Sequence, residues 1–169
     1  LGRFAFSSTS HYESLSWNFN SIPWVEGEKG YGIGSTIRIS TKQYFDTLCI
    51  LNGYVNIEKL DLYKKNSRVK VFNVKDLDNN LEYRIELEDI VEFQYLYLDE
   101  ETKNVELTIV EVYKGDKWAD TCVQGIVPMV TSTTVDNSNQ QKYSMFGSEK
   151  AITNTINNYT NKYSEIVNK

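Results

Sequence analysis

The chain is poor in the residues that most enzymes and metal proteins depend on. Among 169 residues there is one histidine, His11, and there are two cysteines, Cys49 and Cys122. A structural zinc site takes four Cys or His ligands, so that class is excluded. Long apolar runs are missing too. The longest unbroken one, Leu48 to Leu51, is the length of part of a strand, whereas a spanning helix needs about 20 residues. The sequence therefore offers no integral membrane segment. Arginine is scarce, limited to Arg3, Arg38, Arg68 and Arg84, and the net charge is -5. Nucleic-acid binders present a basic patch or stripe, and none is written here, so nucleic acid is not an expected partner. Nor does the sequence contain a nucleophile elbow, a phosphate-binding loop or a paired-histidine metal helix. The expectation is a protein that is not an enzyme.

What the chain does have is alternation. Its length suits one domain of about 100–200 residues with an appendage. Leu81, Tyr83, Ile85 and Leu87 alternate with Glu82, Arg84, Glu86 and Glu88, the pattern of a strand with one dry and one wet face. Further strands are predicted at Thr36 to Ser40, Thr47 to Leu51, Arg68 to Lys75, Val91 to Asp99 and Val105 to Tyr113. Tyr83, and Tyr95 and Tyr97 in phase with Phe93, are read as packing residues. Two runs change phase midway: Val69 and Val71 give way to Phe72 and Val74, and Val105, Leu107 and Ile109 to Val110 and Val112. Such slips are how β-bulges show in sequence. With turn signals between the runs and no helix pattern before residue 130, the class is all-β, an antiparallel sandwich or barrel.

Composition changes near residue 130. Residues 1–130 read as the β domain, 131–147 as a polar linker and 148–169 as an amphipathic helix. Within the last of these, Ile152, Ile156, Tyr159, Tyr163 and Ile166 form a stripe at spacings of four, three, four and three. A helix docked on its own domain or on a second copy, or one that recruits a partner, would account for it. One disulfide and two reduced thiols both fit the cysteine count. The apolar setting of Cys49 favours buried thiols.

Twelve Tyr and three Trp supply amphipathic rings that stack on the C–H faces of sugars while polar neighbours bond the hydroxyls. The rings in turns are the better ligand candidates, since binding residues concentrate on loops carried by a rigid scaffold. Three loop clusters qualify: Pro23 to Gly34, Asn52-Gly53-Tyr54, and Tyr63 to Arg68. In the first, Gly30, Gly32 and Gly34 are spaced two and two with no helix following, so a dinucleotide site is not supported.

The order "WVEGEKGYGIGSTIRI", "ILNGYV", "LYKKNSRVKVFNV", "LTIVEVYKGDKWADTCVQGI" resembles the discoidin-like module known as the NADase-type glycan-binding domain of bacterial secreted and surface proteins. The resemblance covers Trp24 to Ile126. It implies a galactose-binding-like β-sandwich of jelly-roll type, an extracytoplasmic location, and glycan binding without catalysis or a cofactor. In that reading Trp24 and Tyr54 stack on the sugar, while Glu26, Asn52, Asn66, Arg68 and Asp120 bond its hydroxyls. Upstream the text "NFNSIPW" lacks the family's Asp-Gly pair, and Glu26 alone does not make an oxygen-rich calcium site, so structural Ca²⁺ is not supported. Two further expectations remain. Arg68 either pairs bidentately with Asp120 or faces the ligand. The alternative to sugar binding is an adhesion or assembly module that self-associates through the carboxy-terminal helix.

Overall fold

The computed structural model describes residues 23–56, 58–132 and 142–145. Seven strands occur among them: β1 (Trp24–Val25), β2 (Thr36–Asn52), β3 (Ser67–Asp76), β4 (Leu81–Glu86), β5 (Phe93–Tyr113), β6 (Thr121–Ser132) and β7 (Lys142–Met145). A one-turn helix, α1 (Asp61–Lys65), lies between β2 and β3. The strand order is β1-β6-β2-β5-β3-β4, with β7 added to β6. All these pairings are antiparallel except a short parallel contact between β3 and β6, where Ser67 lies beside Thr121 and Arg68 beside Cys122.

The all-β antiparallel class expected from the alternation is what the chain adopts. Two strands are longer than the periodicity predicts. β2 takes in both Thr36–Ser40 and Thr47–Leu51, and β5 joins the predicted runs on either side of residue 100. Each passes through both halves of the sheet. Residues 36–40 of β2 face residues 104–108 of β5, and residues 47–51 face 93–97, with register shifts between Ser40, Phe45 and Thr47. β6 flanks one half and β3 with β4 flanks the other. Leu48, Ile50, Leu96 and Ile126 from the first half join Ile39, Phe72, Val74 and Leu107 from the second in one buried cluster. One buried core therefore takes residues from both halves. Burying such side chains contributes roughly 25 cal/mol per Å² of apolar surface.

Both predicted phase slips coincide with irregularities in the β3–β5 ladder, between Val69 and Val71 and between Val71 and Phe72, opposite Val112 to Ile109. Tyr83 packs against the core as expected. Tyr95 and Tyr97 do not: Leu96 and Leu98 take the core-facing phase, and the tyrosines stand 40% and 50% exposed on the other face. α1 is a single turn, too short to show helical periodicity. It is held by the Asp61–Lys65 ion pair and capped by Asn66, whose backbone N–H (3.1 Å) and side-chain amide (2.9 Å) both donate to the Leu62 carbonyl. β7 falls inside the stretch read as linker and pairs with β6 from Met129 to Ser132. The predicted carboxy-terminal helix lies outside the described residues. Both cysteines are free and buried.

Candidate functional site

The loop end of the sheet is built on the parallel contact of β3 with β6. Asn52, at the end of β2, is fully buried and behaves as a piece of backbone: its amide donates to the Val69 carbonyl at 2.6 Å and its oxygen accepts the Val69 N–H at 3.2 Å. Gly53 follows with φ of 84° and donates to the Cys122 carbonyl at 3.1 Å. A Cβ here would meet the Tyr63 ring at 2.5 Å, so only glycine fits. The Tyr63 ring belongs to a second small cluster with Leu51 and Val55, which seats α1 against the end of β2.

Arg68 is the hub. Its guanidinium grips Asp89 bidentately, with Nε donating to Oδ1 and Nη2 to Oδ2, both at 2.7 Å. Nη1 donates to the carbonyls of Asn66 (3.0 Å) and Tyr63 (3.3 Å). The side chain is 4% exposed and stacks against the rings of Tyr63 and Tyr113 at 4.9 and 5.8 Å. Around Asp89, the Tyr63 hydroxyl donates to Oδ1 at 3.1 Å and the Lys64 ammonium approaches Oδ2 at 3.3 Å. Burial works against the Asp89 carboxylate. The hydrogen bonds and charge of Arg68, with Lys64 and Tyr63, outweigh it and hold its pKa below the ordinary value. The expected Arg68–Asp120 pair is therefore corrected. Asp120 instead uses its backbone, accepting the Ser67 N–H at 2.9 Å, and leaves its side chain exposed.

The remaining loops are tied to the same hub. Lys65 carbonyl accepts from the N–H groups of Lys117 (3.1 Å) and Trp118 (2.9 Å), and Lys64 carbonyl from that of Asp116 (2.9 Å). Ser67 Oγ donates to the Trp118 carbonyl at 3.2 Å and accepts the Gly115 N–H at 3.0 Å. Buried Glu26 joins the first loop to β6: its carboxylate accepts N–H groups from Glu28 (2.8 Å) and Thr121 (3.3 Å). Gly32 leaves the room its stem occupies, since a Cβ would collide with the Glu26 side chain. Thr121 Oγ1 donates to the Tyr31 carbonyl at 2.8 Å.

Of the seven residues the sequence nominates, the structure brings Asn52, Asn66, Arg68 and Glu26 together as loop fasteners whose polar atoms bond protein groups. Trp24 sits in the main core, its Nε1 without a partner among the described residues. Tyr54 is half-buried and Asp120 exposed. Sequence reasoning missed Asp89, which stands just past the Leu81–Leu87 alternation with no motif around it. Its one signal is being an acid at a strand end in a chain whose Arg68 needs a carboxylate partner. Each oxygen of the Glu26 carboxylate accepts a backbone N–H, a loop-fastening role rather than the set of several converging oxygens that calcium takes. Among the described residues no three His, Cys, Asp or Glu side chains converge as a metal-binding group. Burial pushes the thiols of Cys49 and Cys122 up to about 12, far from the thiolate a nucleophile requires.

The loop end of this β fold is thus fastened by buried polar groups and leaves side chains exposed at its rim. A model of the NAD glycohydrolase translocation F5/8 type C domain matches residues 8–129, and the chain belongs to that family. Among solved structures it is similar to the NMR structure of the Streptococcus pyogenes NAD+-glycohydrolase translocation domain. The two share 21% sequence identity with a TM-score of 0.46, over 63% of this chain and 95% of that one. No curated protein matches. No helix among the described residues is long and apolar enough to cross a membrane.

Proposed function

We propose that this domain is an extracytoplasmic glycan-binding module of galactose-binding-like, jelly-roll type, using the rim of its loop end as a shallow site. Membership of a translocation-domain family supports a module that acts by holding a surface rather than by turning over a substrate. The observation that carries the reading is the division of labour at the hub. Arg68, Asn52, Asn66 and Glu26 fix the loop backbones, and the side chains left accessible on those loops include exposed Trp118 and Asp120 and half-buried Tyr54. In this assignment the indole of Trp118 stacks on a sugar face, Tyr54 extends the apolar surface, and Asp120 accepts from hydroxyls. Trp24, Glu26, Asn52, Asn66 and Arg68 serve as scaffold.

A few such contacts give weak binding, and a Kd near ~1 mM corresponds to about 4 kcal/mol. The test is a glycan array with multimerised protein, followed by NMR titration with the sugars retained. Chemical-shift changes should centre on residues 54 and 114–120, and Trp118→Ala should abolish them without moving the melting temperature. Silence on the array together with no shift change for simple hexoses would reject the reading.

A further inference from the structure

β4 stands at the end of the strand order, and among the described residues it pairs only with β3. Strand edges of this kind are commonly blunted by lysine, proline or a bulge. β4 reads LEYRIE and carries none of these, and its register with β3 runs unbroken from Leu81 to Glu86. One bond just past its end fixes the direction of its main-chain groups. The Leu87 N–H donates to the Lys70 carbonyl at 2.8 Å, which continues the same register by one pair. In an antiparallel ladder the N–H and C=O of a residue point to one side and successive residues alternate. Leu81, Tyr83 and Ile85 therefore bond β3, while Glu82, Arg84 and Glu86 direct their main-chain groups outward.

Those three outward residues also carry the charged side chains, which are 60%, 57% and 67% exposed. On the other face Tyr83 and Ile85 are half-buried against the core, and the Tyr83 hydroxyl accepts the Asp99 N–H at 3.2 Å. A second copy of β4 can lie antiparallel along this edge, with outward groups meeting, only where the two-fold axis passes through a residue. An axis at Arg84 sets Arg84 against itself and Glu82 against Glu86, and like charges directly opposite oppose pairing. An axis nearer either end of the strand pairs three residues of each copy or fewer. An axis at Tyr83 pairs five of the six residues and places Glu82 of each copy opposite Arg84 of the other. It also sets Leu81 against Ile85 and the two Tyr83 rings against each other, cross-strand pairs that favour a sheet. Arg84 uses one nitrogen, Nη2, on Glu111, and Glu82 stands 3.7 Å from Lys75, so both retain capacity for a partner across the edge.

We propose that the β4 edge is a self-recognition surface, through which two copies of the chain pair antiparallel about a two-fold axis at Tyr83. Main-chain bonds between Glu82 of one copy and Arg84 of the other, with the ion pairs of their side chains, set the register. So short a ladder buries less than the ~1,600 Å² of a standard interface, and the dimer forms at about 0.1 mM and above. Pairing puts two loop ends on one particle, the arrangement from which a weak site gains most through avidity.

Sedimentation of the full chain over a concentration series tests this, with two variants of opposite charge. Glu82→Arg sets arginine against arginine at the axis-related positions and Arg84→Glu sets glutamate against glutamate, so each alone should associate about tenfold or more weakly than the native chain. Mixed in equal amounts, the two variants restore opposite charges at both positions and should associate within about threefold of the native chain. Hydrogen exchange on the unmodified protein gives a second readout that needs no variant. Between about 10 µM and 1 mM the Glu82 and Arg84 amides should slow about threefold or more, while those of Tyr83 and Ile85, already bonded to β3, keep their rates. A monomer at 1 mM, a dimer indifferent to both substitutions, or a mixture no tighter than its components overturns the proposal. So do Glu82 and Arg84 amides that are equally protected at every concentration, since another part of the same chain then covers the edge. If a variant does not fold, the exchange rates of the unmodified protein decide.

Discussion

Arg68 and Asp89 make the most consequential pair in the domain, because the guanidinium is buried and makes four hydrogen bonds while its carboxylate partner reaches toward solvent. Asp89→Ala leaves that cation without its counter-charge, and breaking a buried pair costs about 3–5 kcal/mol. Arg68→Lys should also lower the melting temperature, since an ammonium cannot reproduce a fork that serves Asp89, Tyr63 and Asn66 together. Asp120→Ala should leave thermal unfolding unchanged, because only the Asp120 backbone engages Ser67. Calorimetry on the three variants checks the ranking; a large loss for Asp120→Ala would contradict it. The sequence left Arg68 open between a carboxylate partner, expected as Asp120, and a ligand. The true partner was not legible, because the segment after β4 brings Asp89 to the hub only through the folded β3–β4 and α1 packing.

The strands were legible wherever local alternation sufficed, and the bulges wherever the alternation changed phase. The continuity of β2 and β5 was hidden because Thr41 to Gln43 and Asp99 to Glu101 are polar, which is what a bend between two halves of a sheet requires when little there is buried. The second face of β5 was misread because Phe93, Tyr95 and Tyr97 alternate as cleanly as Leu96 and Leu98 do. Periodicity cannot choose between two apolar phases. The tight turn after β2 yields a sharper expectation. Gly53 combines a left-handed backbone with contact against the Tyr63 ring, so Gly53→Ala strains the turn and displaces α1 at once. Urea unfolding should show a loss of more than about 1 kcal/mol with an unchanged m-value. No loss would mean that α1 swings clear without cost.

Acid sensitivity follows from carboxylates held low by the fold. Asp89 is lowered through Arg68 against its burial, and Asp78 through the Lys103 N–H, again against burial, with Asn104 and Thr102 adding to it. A carboxyl whose native pKa lies below its unfolded value of about 3.9 stabilises fully above that value and stops doing so as pH falls through the lower native one. Melting temperature should therefore hold level from neutral pH to about pH 5 and fall below about pH 4. Asp89→Asn should flatten part of that acid limb; an unaltered limb would assign it to other groups.

The parallel contact of β3 with β6 carries a consequence for how the protein is made. It closes a ring of four strands, β6, β2, β5 and β3, and β6 is the last of the four to be synthesised. A nascent chain stalled with residues 121–132 still inside the ribosomal exit tunnel has Arg68 and Asn52 outside but no strand to complete the ring. It should be cut readily by protease, while a chain stalled some thirty residues later should resist, giving one step and no partly protected stage. A graded gain in protection would show that the β3–β4–β5 half folds by itself. The domain is thus expected to stay unfolded until almost its whole length is free, the state a polypeptide needs if it is to be threaded across a barrier before it folds.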